Sequence, residues 1–281
     1  CAVLWNSTLG ILQSMSKESL AQVFARAKSE NRAALIGYMP AGFPTLEGSK
    51  ELIRALIAGG VDIVEVGFAY SDPVMDGAII QEAAEIALRN KTGAKEVLEV
   101  VSGVSVPSLV MSYWNPIERF GVKEFTKALA SAGGVGVITP DLTIEESGDW
   151  IVETERNDLQ RVYVVAPSTD DSRLAKVADR CSGFVYAASL MGVTGARNSL
   201  SDSASELVAR LRKVTNLPIA VGLGVSTAEQ AADVAKFADG VIVGSAFIKL
   251  VLQAPDITQA CKNVTLLARE LSDGVRQGRV G

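Results

Sequence analysis

Glu65, Asp72 and Asp76 are three of the four carboxylates in the stretch V-D-I-V-E-V-G-F-A-Y-S-D-P-V-M-D-G-A-I-I-Q, residues 61–81. Val61, Ile63, Val64 and Val66 form an apolar run that reads as a parallel strand buried on both faces. Glu65 stands inside that run, where a buried strand calls for Val or Ile. A carboxylate there either carries several kcal/mol of desolvation or holds its proton to higher pH. Asp72 and Asp76 follow on the loop beyond Gly67. A carboxylate at the end of a strand, with others on the next loop, is how an α/β enzyme presents acid/base groups. The plainer alternative is an ion-paired core glutamate with two aspartates capping a turn and a helix.

Composition narrows the chemistry. The 281 residues contain no histidine, which removes histidine bases, Ser-His-Asp triads and imidazole metal sites together. Cys1, Cys181 and Cys261 are scattered, with no C-x-x-C or metal-ligand spacing, so a reducing, cytoplasmic compartment is expected rather than a disulfide frame. The net charge is −5 with no basic run, which argues against nucleic acid and against an anionic membrane surface. Residues 1–14 are apolar but lack Lys and Arg, and are too short to span a bilayer. Met15 resembles a natural start, so residues 1–14 are expected to be an upstream extension and residues 15–281 one domain.

The elements that must position the acids alternate along the whole chain. Leu20, Val23, Phe24 and Ala27 give an amphipathic helix from about Ser16 to Ser29. Strands are expected at 34–38, 62–68, 107–113, 135–139, 161–166, 183–188, 218–223 and 239–243, with helical periodicity between them. Two helical segments, 78–89 and 93–103, fit between the second and third strands. Strand starts about 29 residues apart, eight times over, predict an α/β fold of the (β/α)8 TIM-barrel type with an extra N-terminal helix. A doubly wound sheet is the alternative, but no G-x-G-x-x-G follows the first strand.

In such a barrel, function collects at the C-terminal ends of the strands. Those positions hold Tyr38, Glu65, Tyr113-Trp114-Asn115, Asp141, Tyr186 and three late glycine-bearing loops: Gly192–Gly195, Gly222–Val225 and Gly244–Ala246. Glycines there let backbone N–H groups approach an anion, and a helix starting at Gly244 or Ser245 would aim its N-terminus at it. A phosphate site is expected. Opposite it, Tyr38, Ile80, Met111, Tyr113, Ile138 and Leu223 suggest a flat apolar substrate part, although strand-end aromatics also pack. No lysine falls inside an expected strand, so a Schiff-base aldolase lacks its nucleophile; Lys249 reads as surface charge on the last helix. Acid/base catalysis by Glu65 and a loop aspartate on a phosphorylated substrate remains.

These residues resemble the tryptophan synthase α subunit family. Glu65-Val-Gly-Phe-Ala-Tyr-Ser-Asp-Pro-Val-Met-Asp-Gly77 is similar to its E-L-G-x-P-[FY]-S-D-P-x-A-D-G signature without a gap. Tyr186-Ala-Ala-Ser-Leu-Met-Gly-Val-Thr-Gly195 resembles its Y-x-x-S-x-x-G-V-T-G loop, and Gly222–Ser226 and Gly244–Ala246 its later phosphate loops. Pro40–Pro44 and Pro140–Leu142 add to the likeness, which is nearest to the actinobacterial branch.

The resemblance implies retro-aldol cleavage of indole-3-glycerol phosphate to indole and glyceraldehyde 3-phosphate, with no cofactor in this chain and no metal. By motif position Glu65 is the general acid/base and Asp76 the acceptor of the indole N–H. Tyr186 and Thr194 would contact the substrate. Tyr38, Met111, Tyr113, Ile138 and Leu223 would line the indole pocket. Gly195, Gly224, Gly244 and Ser245 would hold the phosphate. The resemblance further implies a pyridoxal-phosphate β subunit as partner in an αββα complex that receives indole through a tunnel, with 70–80 and 189–200 as lid and contact loops. The sequence departs from the family at Ala69 and Ala78, where prolines are usual, and at Thr143, Leu190, Met191 and Leu223. Another phosphate-binding barrel isomerase, a stand-alone indole-releasing lyase and an inactive activator of a β subunit are the competing readings.

Overall fold

Alternation of short apolar strands with amphipathic helices produces a closed barrel, because each strand buries one face inward and the other against helices. The computed structural model describes residues 17–188, 197–222 and 224–278. The strands are β1 (Ala34–Pro40), β2 (Ile63–Gly67), β3 (Ser108–Met111), β4 (Gly136–Thr139), β5 (Gln160–Val165), β6 (Val185–Ala188), β7 (Ile219–Gly222) and β8 (Gly240–Val243). All pair in parallel in chain order, and β8 closes on β1. Around them run α1 (Leu20–Ser29), α2 (Leu46–Ala58), α3 (Ala78–Arg89), α4 (Ala94–Ser102), α5 (Trp114–Phe120), α6 (Val122–Ser131) and α7 (Gly148–Arg156). The ring continues with α8 (Asp171–Arg180), α9 (Arg197–Leu211), α10 (Ala228–Ala235), α11 (Ser245–Gln253) and α12 (Ile257–Gln277). The expected (β/α)8 barrel is therefore present, and residues 1–14 lie outside the described residues.

Strand alternation sorts the apolar side chains into two concentric cores. Ile36, Ile63, Leu109, Ile138, Val162, Ala220 and Ile242 fill the barrel interior. Leu35, Val64, Val110, Val137, Val185, Val221 and Val241 face the surrounding helices. Helix α1 supplies Leu20, Val23, Phe24 and Ala27 to the inner core, and Phe24 packs on Phe184 with ring centroids 5.8 Å apart. It thus plugs the end of the barrel where the strands begin. The helix starts at Leu20, later than the periodicity suggests. Ser19 caps it, with its hydroxyl accepting from Gln22 N–H and the Gln22 side chain returning to Ser19 N–H, so the turn is set there.

Two helices were not read from the sequence. Trp114, expected in a strand-end loop, opens α5, whose first N–H is capped by the Asp141 carboxylate at 2.8 Å. The 21-residue α12 packs on α2 and α10. Its approach needs glycine: a Cβ on Gly59 would lie 2.4 Å from the Ala268 Cβ, and one on Gly274 2.3 Å from the Ala228 carbonyl.

At the plugged end, a charged cluster ties β1 to β2. Asp62 accepts from Arg32 Nη1 at 2.6 Å and Nη2 at 2.8 Å, and from Leu35 N–H at 2.9 Å. Arg32 also donates to the Ala33 carbonyl and to Glu30. Both Arg32 and Asp62 are buried, so each depends on the other's hydrogen bonds to offset lost hydration. Asp62→Ala leaves the guanidinium buried without its partner and should cost about 3 kcal/mol of unfolding free energy. A urea titration should show a lower midpoint with an unchanged m-value, and the folded variant should keep its top-face chemistry.

Candidate active site

Glu65 projects into the barrel because it shares the inward parity of Ile63, two residues earlier on β2. Its register neighbours are Tyr38 on β1 and Leu109 on β3. The residue is 1 % exposed, and its Oε1 has no hydrogen-bond partner among the described residues. Burial alone pushes this carboxyl up to about 8, so it keeps its proton at neutral pH.

Tyr38 and Tyr186 line the same space from β1 and β6. Each phenol is pushed well above its ordinary range, first by burial and then by the nearby Glu65 and Asp76 charges. Both rings fit because a neighbouring strand offers no side chain. A Cβ on Gly67 would sit 2.4 Å from the Tyr38 Oη, and one on Gly222 would sit 2.6 Å from the Tyr186 Oη. These glycines are therefore space for phenols, which the sequence reading did not foresee. Gly222 stood out there only as part of a phosphate loop.

Asp76 sits half-buried at the end of the β2–α3 loop, one residue before the Gly77 cap of α3. Burial raises its carboxyl to about 6, against a hydrogen bond from Tyr113 that lowers it. The Tyr113 hydroxyl accepts from Met75 N–H at 2.9 Å, one residue before Asp76, and its ring packs on Tyr70 at 5.5 Å. Tyr113, expected as a pocket wall, is thus also the strut of this loop. Gln81 closes the loop from α3, donating to the Asp76 carbonyl at 2.8 Å. That contact escaped the sequence reading, since a glutamine on the first turns of a helix carries no mark of its own. Asp72 stays exposed on the loop.

Met111 ends β3 half-buried, level with Gly67 and Ile138. Ile138 is fully buried in the inner core and lies below the opening as a floor. Gly244 precedes α11 directly after β8, with Ser245 as the first helical residue, so this helix N-terminus rises from the same end of the barrel as Glu65. Gly224 has φ +67°, a left-handed conformation that glycine adopts without steric cost. Lys249 is exposed on α11, as expected of surface charge. Thr194, Gly195 and Leu223 lie outside the described residues. Among the described residues no cluster of three or more Cys, Asp or Glu side chains could hold a metal ion, and no helix is long and apolar enough to cross a membrane.

Two acids at one barrel mouth, one protonated and one ionised near pH 7, can pass a proton to a carbon while accepting a hydrogen bond from a ring N–H. Comparison with known proteins identifies the family. The tryptophan synthase alpha chain profile matches residues 24–276. A tryptophan synthase alpha chain from Streptomyces avermitilis is 54 % identical over 263 residues, covering 92 % of this chain and 95 % of the relative. One from Mycobacteroides abscessus is 49 % identical over 261 residues, covering 92 % and 97 %. Mycobacterium tuberculosis tryptophan synthase in space group F222 superposes with TM-score 0.86 at 44 % identity, covering 94 % of this chain and 100 % of that one. Tryptophan synthase subunit alpha from Legionella pneumophila superposes with TM-score 0.83 at 29 % identity, covering 91 % and 97 %. The chain belongs to the tryptophan synthase alpha chain family.

Proposed function

We propose that Glu65 and Asp76 divide the work of cleaving indole-3-glycerol phosphate, and that their separated proton affinities are the basis of the division. The family reaction is a carbon–carbon lyase step yielding indole and glyceraldehyde 3-phosphate. The observation that carries the assignment is the buried, unpartnered carboxyl of Glu65 beside a second, less perturbed acid. Protonated Glu65 gives its proton to indole C3. Asp76, ionised, accepts from the indole N–H and stabilises the positive charge of the resulting indolenine. The Glu65 carboxylate then removes the proton of the glycerol hydroxyl on the carbon attached to C3. As that carbonyl forms, the C3–carbon bond breaks, its electrons restore the indole, and Glu65 regains its proton. No redox equivalent or cofactor of this chain takes part.

The remaining assignments belong to the same proposal. Tyr186, Tyr38, Met111, Tyr113, Thr194 and Leu223 contact the substrate above Ile138, and Gly195, Gly224, Gly244 and Ser245 hold its phosphate. The exposed Val74 and Met75 on the Asp76 loop suit a contact surface for the β subunit, which carries the pyridoxal phosphate and uses the indole for tryptophan synthesis. Residues 15–281 act as one domain, resident in the cytoplasm.

Steady-state cleavage of indole-3-glycerol phosphate, followed by indole release with a cognate β subunit present, tests the division. The pH profile of kcat/KM should be bell-shaped, with limbs near the values of about 6 and about 8 set by Asp76 and Glu65. Glu65→Gln should lose about 10³-fold or more in kcat, and Asp76→Asn about 10²-fold together with the acidic limb. An unchanged profile in Asp76→Asn would remove Asp76 from the chemistry.

Stability gives an independent check with a defined sign. Because the folded Glu65 carboxyl binds its proton more tightly than the unfolded chain does, stability falls as pH rises from about 4.5 toward about 8. Glu65→Gln removes that loss. The variant should match wild type near pH 4 and exceed it at pH 8 by a margin on the order of a few kcal/mol, measured by denaturant unfolding.

A further inference from the structure

The Asp76 loop is held by a chain of contacts that leads away from the reacting groups, past the end of β3, to the loop after β4. The Tyr113 hydroxyl accepts from Met75 N–H at 2.9 Å, beside the Asp76 carboxyl whose proton affinity it lowers. The next residue, Trp114, opens α5, and its N–H donates to Asp141 Oδ1 at 2.8 Å. Tyr113 is therefore fixed at both ends: its phenol on the loop, its backbone at a helix start that Asp141 caps.

We propose that Asp141 is a positioning residue for Asp76, acting by capping α5 and so setting where the Tyr113 phenol holds the loop. This rests on the assignment of Asp76 to the reaction. Among the described residues, Asp141 makes no hydrogen bond of its own to the loop or to the proposed substrate site. It lies on the β4–α7 connection, exposed at the rim, so its side chain is not a core element of the fold. Across the gap toward α8, Arg173 is engaged by Glu145 through Nη1 at 2.5 Å and Nη2 at 2.9 Å, which leaves the helix start as the Asp141 oxygen's partner.

Electrostatics are consistent with this geometry. Burial and then the Asp76 charge push the Tyr113 phenol up to about 12, with Asp141 adding to the effect, so the phenol stays a donor throughout the working range. The groups that bear on the Asp76 region are Tyr113 at the cap of α5 and, from β1, β2 and β6, Tyr38, Glu65 and Tyr186. Among them Tyr113 is the one that lowers the Asp76 proton affinity. If the phenol is displaced, that affinity rises and the acidic limb moves to higher pH. Loss of the Asp141 negative charge by itself would push the limb the other way, so position and charge separate by sign.

The experiment is the pH dependence of kcat and KM for indole-3-glycerol phosphate, with saturating β subunit, in wild type, Tyr113→Phe, Asp141→Ala, Asp141→Asn, the Asp141→Ala/Tyr113→Phe double variant and Asp76→Asn. Tyr113→Phe should raise the acidic limb by about half a pH unit or more. Asp141→Ala should move it the same way and lower kcat about 5- to 10-fold, with KM within about twofold. The double variant should go no further than Tyr113→Phe, since both act through one phenol. Asp141→Asn, which keeps an oxygen for Trp114 N–H but not the charge, should leave the limb at the wild-type value or below it, opposite in sign to Asp141→Ala. Should Asp141→Ala be too unstable to assay, Asp141→Glu keeps the charge, displaces the acceptor and should shift the limb upward. A wild-type limb in Asp141→Ala, or equal shifts in the Ala and Asn variants, would overturn the role of Asp141. Retention of rate and limb in Asp76→Asn would instead overturn the assignment on which it rests.

Discussion

A carboxyl group with no partner, enclosed in an apolar barrel, is the constraint on which the active end of this molecule depends. Glu65 gains nothing for stability from its place on β2: Oε1 has no hydrogen bond, and burial holds the proton on up to about 8. A valine there would pack better. Folding tolerates the acid because the rest of the interior is closed and apolar, from α1 at one end through Ile36, Ile63, Leu109 and Ile138. The same closure excludes the water that would return the carboxyl to its ordinary range. The plug of the barrel and the proton affinity of Glu65 are thus one physical fact seen at two positions.

Asp62, three residues earlier on the same segment, shows the opposite solution. It is buried too, but Arg32 and Leu35 N–H satisfy both its oxygens. Paired acid just before the strand and unpaired acid at its middle separate stability from chemistry over three residues of chain. Asp76 lies between these extremes, partly buried, relieved by one phenol and held to about 6. Graded burial, with one phenol beside the second acid, can therefore give a proton donor and a hydrogen-bond acceptor in a chain without histidine.

Much of this was legible in the residues. Strand positions followed from apolar runs, and Glu65 declared itself by standing where a buried strand has no place for charge. Two of the late glycines singled out, Gly222 and Gly244, fall at the ends of β7 and β8, on the side of the barrel that Glu65 faces. What the sequence hid depends on distances between elements far apart in the chain. Gly67 reads as the end of a strand, and only the fold shows that the Tyr38 phenol occupies the space its missing side chain leaves. Tyr113 reads as an aromatic wall, yet its hydroxyl serves Met75 and Asp76 across 38 residues of chain. Trp114 read as loop because its cap, Asp141, comes from the next strand's connection rather than from its own turn.

The central claim is that Glu65 is protonated at neutral pH because it is buried and unpaired. A direct titration of its carboxyl carbon by NMR, in protein carrying ¹³C-labelled glutamate and assigned with Glu65→Gln, tests that claim without reference to turnover. The account predicts a midpoint near the value of about 8 set by burial. A midpoint near the ordinary glutamate range of about 4.3 would contradict it, and with it the assignment of Glu65 as the proton donor.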